Sequence, residues 1–169
     1  MAFKEVSPRE LQFNPFSKIG SQWMLITAGT MESFNTMTAS WGGVGVIWGQ
    51  DVATCYIRPQ RRTKAFVDGA ETFTLSFVTA DHREALNLLG SVSGNDDPAK
   101  VEKTDLTPFA VDGSVAFEES DLVLVCRKLY AQDLAPEYFT ASESDAKWYP
   151  QKDYHTMYIG AIEKCLVKE

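Results

Sequence analysis

Chemistry-bearing motifs are scarce in this sequence. Its three cysteines, Cys55, Cys126 and Cys165, lie far apart, form no CxxC pair and are odd in number. That argues against a disulfide framework or a zinc site, and their apolar, strand-like surroundings make them buried, inert thiols. No Ser-His-Asp set, no motif of paired carboxylates and no metal-ligating cluster can be read, so no metal is expected. Neither GxGxxG nor GxxxxGK[ST] occurs, which removes the dinucleotide fold and the P-loop. No apolar run approaches the length of a membrane span. The opening "MAFKEVSPRELQFNP" lacks the apolar stretch and cleavage site of a secretory leader, so a reducing cytoplasm is the expected location. Positive charge is short as well. Sixteen Lys and Arg stand against 23 Asp and Glu, a net −7. A nucleic-acid partner is not expected, because neutralising phosphates favours an extended basic face.

What is present fits a single domain over residues 1–169 that is 44% hydrophobic, with a core large enough to need no staples. Twelve per cent aromatics and seven prolines favour strands and turns over a helix bundle. Residues 1–20 read as an irregular arm broken by Pro8 and Pro15. "WMLITAGT" (23–30) is strand-like, and the alternation continues through 31–41. Gly42, Gly43, Gly45 and Gly49 then mark a bend or bulge, and "VATCYI" (52–57) is the next strand. A short helix starts over 63–66 and stops at Asp68-Gly69, before the clear alternation of "TFTLSFV" (72–78). "DHREALNLLG" carries a helix, with Asp81 as its cap, Glu84 in the first turn and Gly90 as a left-handed stop. Residues 91–113 form a polar connection of unusual length, suited to a lid or a partner contact. Strands resume at "SVAFEE", "DLVLVCRKLYAQD" and "HTMYIGAIEKCLVK". The sum is about seven strands with one good helix and one or two short ones, a mostly antiparallel β fold whose edges a barrel would best resolve.

Two stretches could carry chemistry. "IRPQRRTK" (57–64) concentrates Arg58, Arg61, Arg62 and Lys64 in an acidic chain. It lies between a strand and a helix start, where backbone amides, the Thr63 hydroxyl and guanidinium groups could together hold a phosphate, on a turn stiffened by Pro59. A solvated surface run is the other reading. In "NTMTASWGG" (35–43), an extended chain puts Thr36, Thr38 and Ser40 on one face and Met37, Ala39 and Trp41 on the other. Three hydroxyls and two bare glycines suit the edge of a flat polar ligand, and equally a strand with one wet face. Taken together, the two stretches supply what a mononucleotide with a flat heterocycle would need.

"NTMTASWGG", "YIRPQRRTK" and the late "HTMYIGAIE", in that order, resemble the flavin reductase-like proteins, the flavoredoxin and ferric-reductase relatives above all. The likeness runs from about residue 20 to the end. It implies an FMN-binding split β-barrel of Greek-key topology with one or two peripheral helices, working as a homodimer with FMN at the interface. It places Thr36, Thr38, Ser40, Trp41 and Gly42 along the ring and ribityl chain, and Arg58, Pro59, Gln60, Arg61, Thr63 and Lys64 at the phosphate, with Arg62 solvated. His155 would lie beside the flavin where nicotinamide docks, His82 on the surface, and Trp148 and Tyr149 on a loop able to cover the ring. The implied activity is an NAD(P)H-dependent flavin reductase, passing hydride from NADH or NADPH to FMN and electrons on to a flavin, a metal complex or a partner protein. A non-catalytic FMN electron carrier is the alternative, and the pyridoxamine-phosphate-oxidase relatives share the barrel with a different substrate. Where many relatives carry "SGRDxDK", this chain has "SGNDDPAK" (93–100), and the missing arginine leaves the choice between NADH and NADPH open.

Overall fold

The structure, a computed structural model, describes residues 2–169. In chain order these form β1 (Phe3–Val6), α1 (Pro15–Ser17), β2 (Met24–Thr30), β3 (Ser33–Ala39), β4 (Gly42–Ile47) and β5 (Gln50–Ile57). There follow α2 (Arg62–Gly69), β6 (Thr72–Val78), α3 (Arg83–Ser91), β7 (Pro108–Val111), β8 (Ser114–Phe117), β9 (Ser120–Asp133), α4 (Ser142–Trp148) and β10 (Thr156–Lys168). One antiparallel sheet runs β3-β2-β6-β9-β10-β5-β4, and β7 and β8 form a separate hairpin. The long strand β10 serves two neighbours on one edge, β5 along Thr156–Ala161 and β1 along Cys165–Lys168. Its register against β9 shifts at Ile159/Gly160 and at Ile162/Lys164, irregularities of the kind that bend a sheet.

The sheet curls until its ends approach. Only Ser40 and Trp41 join β3 to β4, and Met24 of β2 reaches Gly42 of β4. A Cβ on Gly42 would lie 3.0 Å from Met24 Cε and 2.6 Å from the Thr54 carbonyl oxygen. Inside the curl sit Met24, Ile26, Ile57, Phe73, Leu75, Phe77, Leu124 and Tyr158. Gly160 is forced by this packing, since a Cβ there would stand 2.8 Å from both Cys126 Cβ and Phe73 Cζ. Helix α3 closes the outside with Leu86 and Leu89, packed with Leu25 and Phe117. The three cysteines are buried and free. Burial pushes the Cys55 thiol up to about 12 and the Cys165 thiol to about 11.

Several expectations need correction. Ten strands are formed among the described residues, not seven. Part of the N-terminal arm is a strand, β1, because the free edge of β10 accepts it. The continuous strand expected over 31–41 is a hairpin partner, cut from β2 by a two-residue turn at Met31-Glu32. The glycines after Trp41 do not bulge: Gly42, Gly43 and Gly45 lie within β4, and only Trp48-Gly49 turns, with φ of 52° and 69°. Asp81 does not cap α3, which begins at Arg83 with no side-chain cap. Gly90 lies inside α3 and is needed for closeness rather than handedness, since its Cβ would meet Thr38 Cβ at 3.2 Å. The stretch 91–113 is not wholly loop, for it contains a helical turn over Lys100–Lys103 and strand β7.

Candidate active site

The crossing from β3 to β4 borders a cleft of about 690 Å³. It is lined by Ser40, Trp41, Gly42 and Gly43, by Tyr56, Met157 and Tyr149, and by Phe16 and Ile19. At Gly43 nothing lies within 4 Å of where a Cβ would be, so the strand backbone is bare to the cleft. Ser40 also borders a smaller groove of about 280 Å³, lined by Trp23, Thr38, Asn87, Gly90 and Ser91. The two cavities share Ser40, and the smaller borders the C-terminal end of α3 at Gly90 and Ser91.

The hydroxyl row is not uniformly presented. Thr36 is fully buried and its hydroxyl meets Thr27 Oγ1 at 2.8 Å, because β2 pairs directly beneath it. Its side chain therefore faces the protein interior, contrary to the expected ligand-facing row. Thr38 donates to the Leu86 carbonyl at 2.6 Å, since α3 packs over that face. Ser40 alone emerges at the cleft.

The basic run likewise fans out instead of forming one clamp. Pro59 and Gln60 make an exposed turn. Arg58 pairs with the Asp153 carboxylate at 2.9 Å and donates to the Trp148 carbonyl at 3.0 Å, while Gln60 donates to the same carboxylate. Lys64 pairs with Asp68 one turn further along α2. Thr63 is buried and donates to Asn35 Oδ1 at 2.8 Å, so its hydroxyl is not open to a ligand. Arg61 donates to the carbonyls of Gly90 and Leu89, at 2.9 and 3.3 Å, and burial holds its guanidinium below its usual value. Arg62, expected in solvent, is half-buried and donates to the Gly94 carbonyl.

Sequence reasoning missed Lys100, whose ammonium sits on the Leu89 and Val92 carbonyls beside Arg61. Burial first, and then the Arg61 charge, bring it down to about 8. Nothing in a lone lysine among aspartates signals such a position. Among the described residues Arg61, Arg62 and Lys100 have carbonyl partners and no carboxylate within ion-pair distance. They stand together behind Gly90 at the border of the groove, with Asp97 the carboxylate whose charge acts on Lys100.

An aromatic cluster flanks the cleft. The Trp41 ring centroid is 5.0 Å from His155 and 5.1 Å from Trp148. His155 Nδ1 lies 2.7 Å from the Tyr149 hydroxyl, and the Arg58 guanidinium covers the Tyr149 ring at 5.0 Å. Burial, then the Arg58 charge, lower the imidazole to about 4 against a weaker opposing pull from Asp153. It is neutral at every physiological pH. His82 stands apart, bonded to Asp105. No group of three or more His, Cys, Asp or Glu among the described residues could hold a metal ion, and no helix is long and apolar enough to cross a membrane.

No family model and no curated protein matches the sequence. Solved structures do. An FMN-binding domain of a flavin reductases-like enzyme from Shewanella baltica is 13% identical and covers 98% of this chain and 77% of its own, with a TM-score of 0.69. Flavoredoxin from Methanosarcina acetivorans is 16% identical over 95% of this chain and 76% of its own, with a TM-score of 0.65. An NADH:FAD oxidoreductase from Streptomyces globisporus, in complex with NAD and FAD fragments, is 14% identical over 86% and 74%, at 0.64. The fold is thus the flavin reductase-like split barrel, mostly antiparallel β with few helices, as the three motifs implied.

Proposed function

We propose that this chain binds FMN and works as an NAD(P)H-dependent flavin reductase. The observation that carries the reading is a cleft at Ser40-Trp41-Gly42-Gly43 that shares Ser40 with a groove bordered by Gly90, whose carbonyl is held by Arg61, a cation with no carboxylate within ion-pair distance. The bare backbone at Gly43 would admit the ring, Ser40 the ribityl chain, and Arg61, with Arg62 and Lys100 behind it, the phosphate. FMN, when bound, supplies hydride acceptance and the onward release of electrons. The chain's own contribution is placement. Trp41, Tyr56 and Met157 wall the cleft and exclude water, and holding two rings in contact removes much of the entropic cost of their meeting. His155, uncharged beside Trp41, can donate a hydrogen bond to a docked nicotinamide without taking part as an acid.

The same reading makes the protein a homodimer with the site at its interface. Phe16 is 85% exposed, Val46 65% and Trp48 57%, an apolar strip along and beside β4 that continues from the cleft wall. Sedimentation tests this, and a monomer that retains FMN would contradict an interfacial site. Three unpaired thiols suit a reducing compartment. One observation favours a carrier without nicotinamide turnover: Trp148 already packs against Trp41, the surface on which a second planar ring would lie.

Stopped-flow mixing of FMN-loaded protein with NADH, and separately NADPH, decides between them. Bleaching well above the rate of free FMN with the same donor supports the reductase. A rate no faster than that rejects it and leaves the carrier.

A further inference from the structure

Tyr149 and His155 close the two ends of the segment between α4 and β10, and both are buried, at 6% and 8% exposure. Their hydrogen bond can run in either sense, from the phenol to a bare Nδ1 or from Nδ1–H to the phenol oxygen. The surroundings choose. If the ring nitrogen donated, the phenol proton would need another acceptor, and among the described residues no other protein acceptor bonds Tyr149 Oη, the His155 backbone N–H nearby being itself a donor. Loss of that proton is opposed by burial of the phenol.

The groups facing the pair are fixed in turn. Arg58 is held by Asp153 and by the Trp148 carbonyl, and Tyr154, its ring centroid 4.8 Å from that of Tyr149, is bonded to Asp145. A second proton on the imidazole would sit beside the Arg58 guanidinium, with Asp153 the weaker influence. The phenol therefore donates, Nδ1 accepts, and the proton of the neutral ring rests on Nε2. That nitrogen has no protein partner and is not among the fully buried unpaired atoms, so it keeps some access to solvent, on a ring whose centroid is 5.0 Å from that of Trp41 in the cleft wall.

We propose that Tyr149 is a positioning residue that locks His155 as a neutral, Nε2-protonated hydrogen-bond donor at the cleft, for the carboxamide oxygen of the nicotinamide of NADH or NADPH. The proposal rests on the reductase reading for its ligand and, for the tautomer, on the hydrogen-bond geometry and the charges around the pair.

The tautomer is read first, by long-range proton–nitrogen correlation on labelled protein without flavin, where His82 is the only other histidine. The expected result is a bare Nδ1 and a protonated Nε2, unchanged from pH 8 to pH 5. An Nδ1–H ring, or an imidazolium at pH 6, overturns the lock. Kinetics follow on FMN-loaded protein. Tyr149→Phe keeps the ring and removes only the hydroxyl. It should raise KM for NADH roughly two- to tenfold, the effect of one neutral hydrogen bond, with little change in kcat. It should also introduce a pH dependence of KM between pH 5 and 7 that the parent lacks. His155→Gln, a neutral donor that cannot titrate, should keep KM flat with pH, whereas His155→Leu should raise it. An unchanged KM and tautomer in Tyr149→Phe mean that Tyr149 only fills space, and overturn the proposal. If the tautomer is as expected but NADH and NADPH fail to bleach the flavin, the reductase reading falls. The nicotinamide half of the proposal falls with it, and the lock itself stands.

Discussion

Replacing Arg61 by alanine should separate FMN from riboflavin, which differs from it only by the phosphate. Arg61 is the cation of the 58–64 run nearest the groove that leads from Ser40, with guanidinium bonds to the Gly90 and Leu89 carbonyls. No ion pair has to break before it can face an external anion. A charge-assisted hydrogen bond contributes about 1.5–3 kcal/mol, so FMN should bind roughly ten- to a hundredfold more weakly. Riboflavin should be nearly unaffected, and the preference for FMN over riboflavin should collapse. The fold should tolerate the change, because Lys100 still donates to the Leu89 carbonyl and only the Gly90 oxygen loses its partner, a loss of about 1 kcal/mol. Arg58→Ala provides the contrast. Arg58 anchors the segment that carries Tyr149 and His155, so its loss should weaken both ligands together and leave their ratio within about threefold. Quenching of flavin fluorescence on titration with protein measures all four constants. If Arg61→Ala keeps the FMN preference, or Arg58→Ala alone abolishes it, the phosphate assignment is wrong.

Gly43→Ala should leave stability unchanged, since nothing occupies the space of its Cβ, yet weaken FMN and riboflavin alike; unaltered binding of both would remove the ring from this strand. Gly160→Ala should lower stability by about 1–3 kcal/mol in urea unfolding, because its Cβ would meet Cys126 and Phe73 at 2.8 Å. His155 contributes a pH dependence of known sign. The native ring, lowered to about 4, stays neutral while the unfolded ring, near 6.5, takes up a proton. Stability is full above the unfolded value and falls with pH down to the folded one. Between pH 7.5 and 5 the wild type should lose about 2 kcal/mol more than His155→Gln, and equal slopes would contradict the buried, neutral ring. The three cysteines should react with an aromatic disulfide reagent only after unfolding, because burial raises their pKa.

The strands that alternate cleanly were legible. "TFTLSFV" forms β6 over Thr72–Val78, the range its pattern marks, because one face meets the barrel core and its neighbours pair on both sides. Legibility failed where a residue type serves two physical ends. Met31-Glu32 turns the chain with neither glycine nor asparagine, so the hairpin between β2 and β3 carried no signal. Glycines that usually break strands instead bare the backbone of β4, and Gly90, placed where a helix stop belongs, makes room for Thr38. In each case the deciding neighbour is remote in sequence, and local propensity says nothing of it.

The candidate site divides in the same way. Composition revealed a density of charge at 58–64, and it could not reveal direction. The run spans the irregular turn between β5 and α2 and the first turn of α2, so successive side chains leave it at different angles and meet three different parts of the molecule. Arg58 reaches a segment about 90 residues away, at Trp148, Arg61 the end of α3, and Lys64 its own helix. What separates these cations is the partner each already has. A carboxylate partner must be displaced, with its charge left unpaired, before the cation can serve a phosphate; a carbonyl partner carries no net charge and can share the cation with an incoming anion. On that ground the proposed phosphate site is assigned to Arg61 and its neighbours, while Arg58 is bonded to Asp153 and Trp148 in the segment that carries Tyr149 and His155.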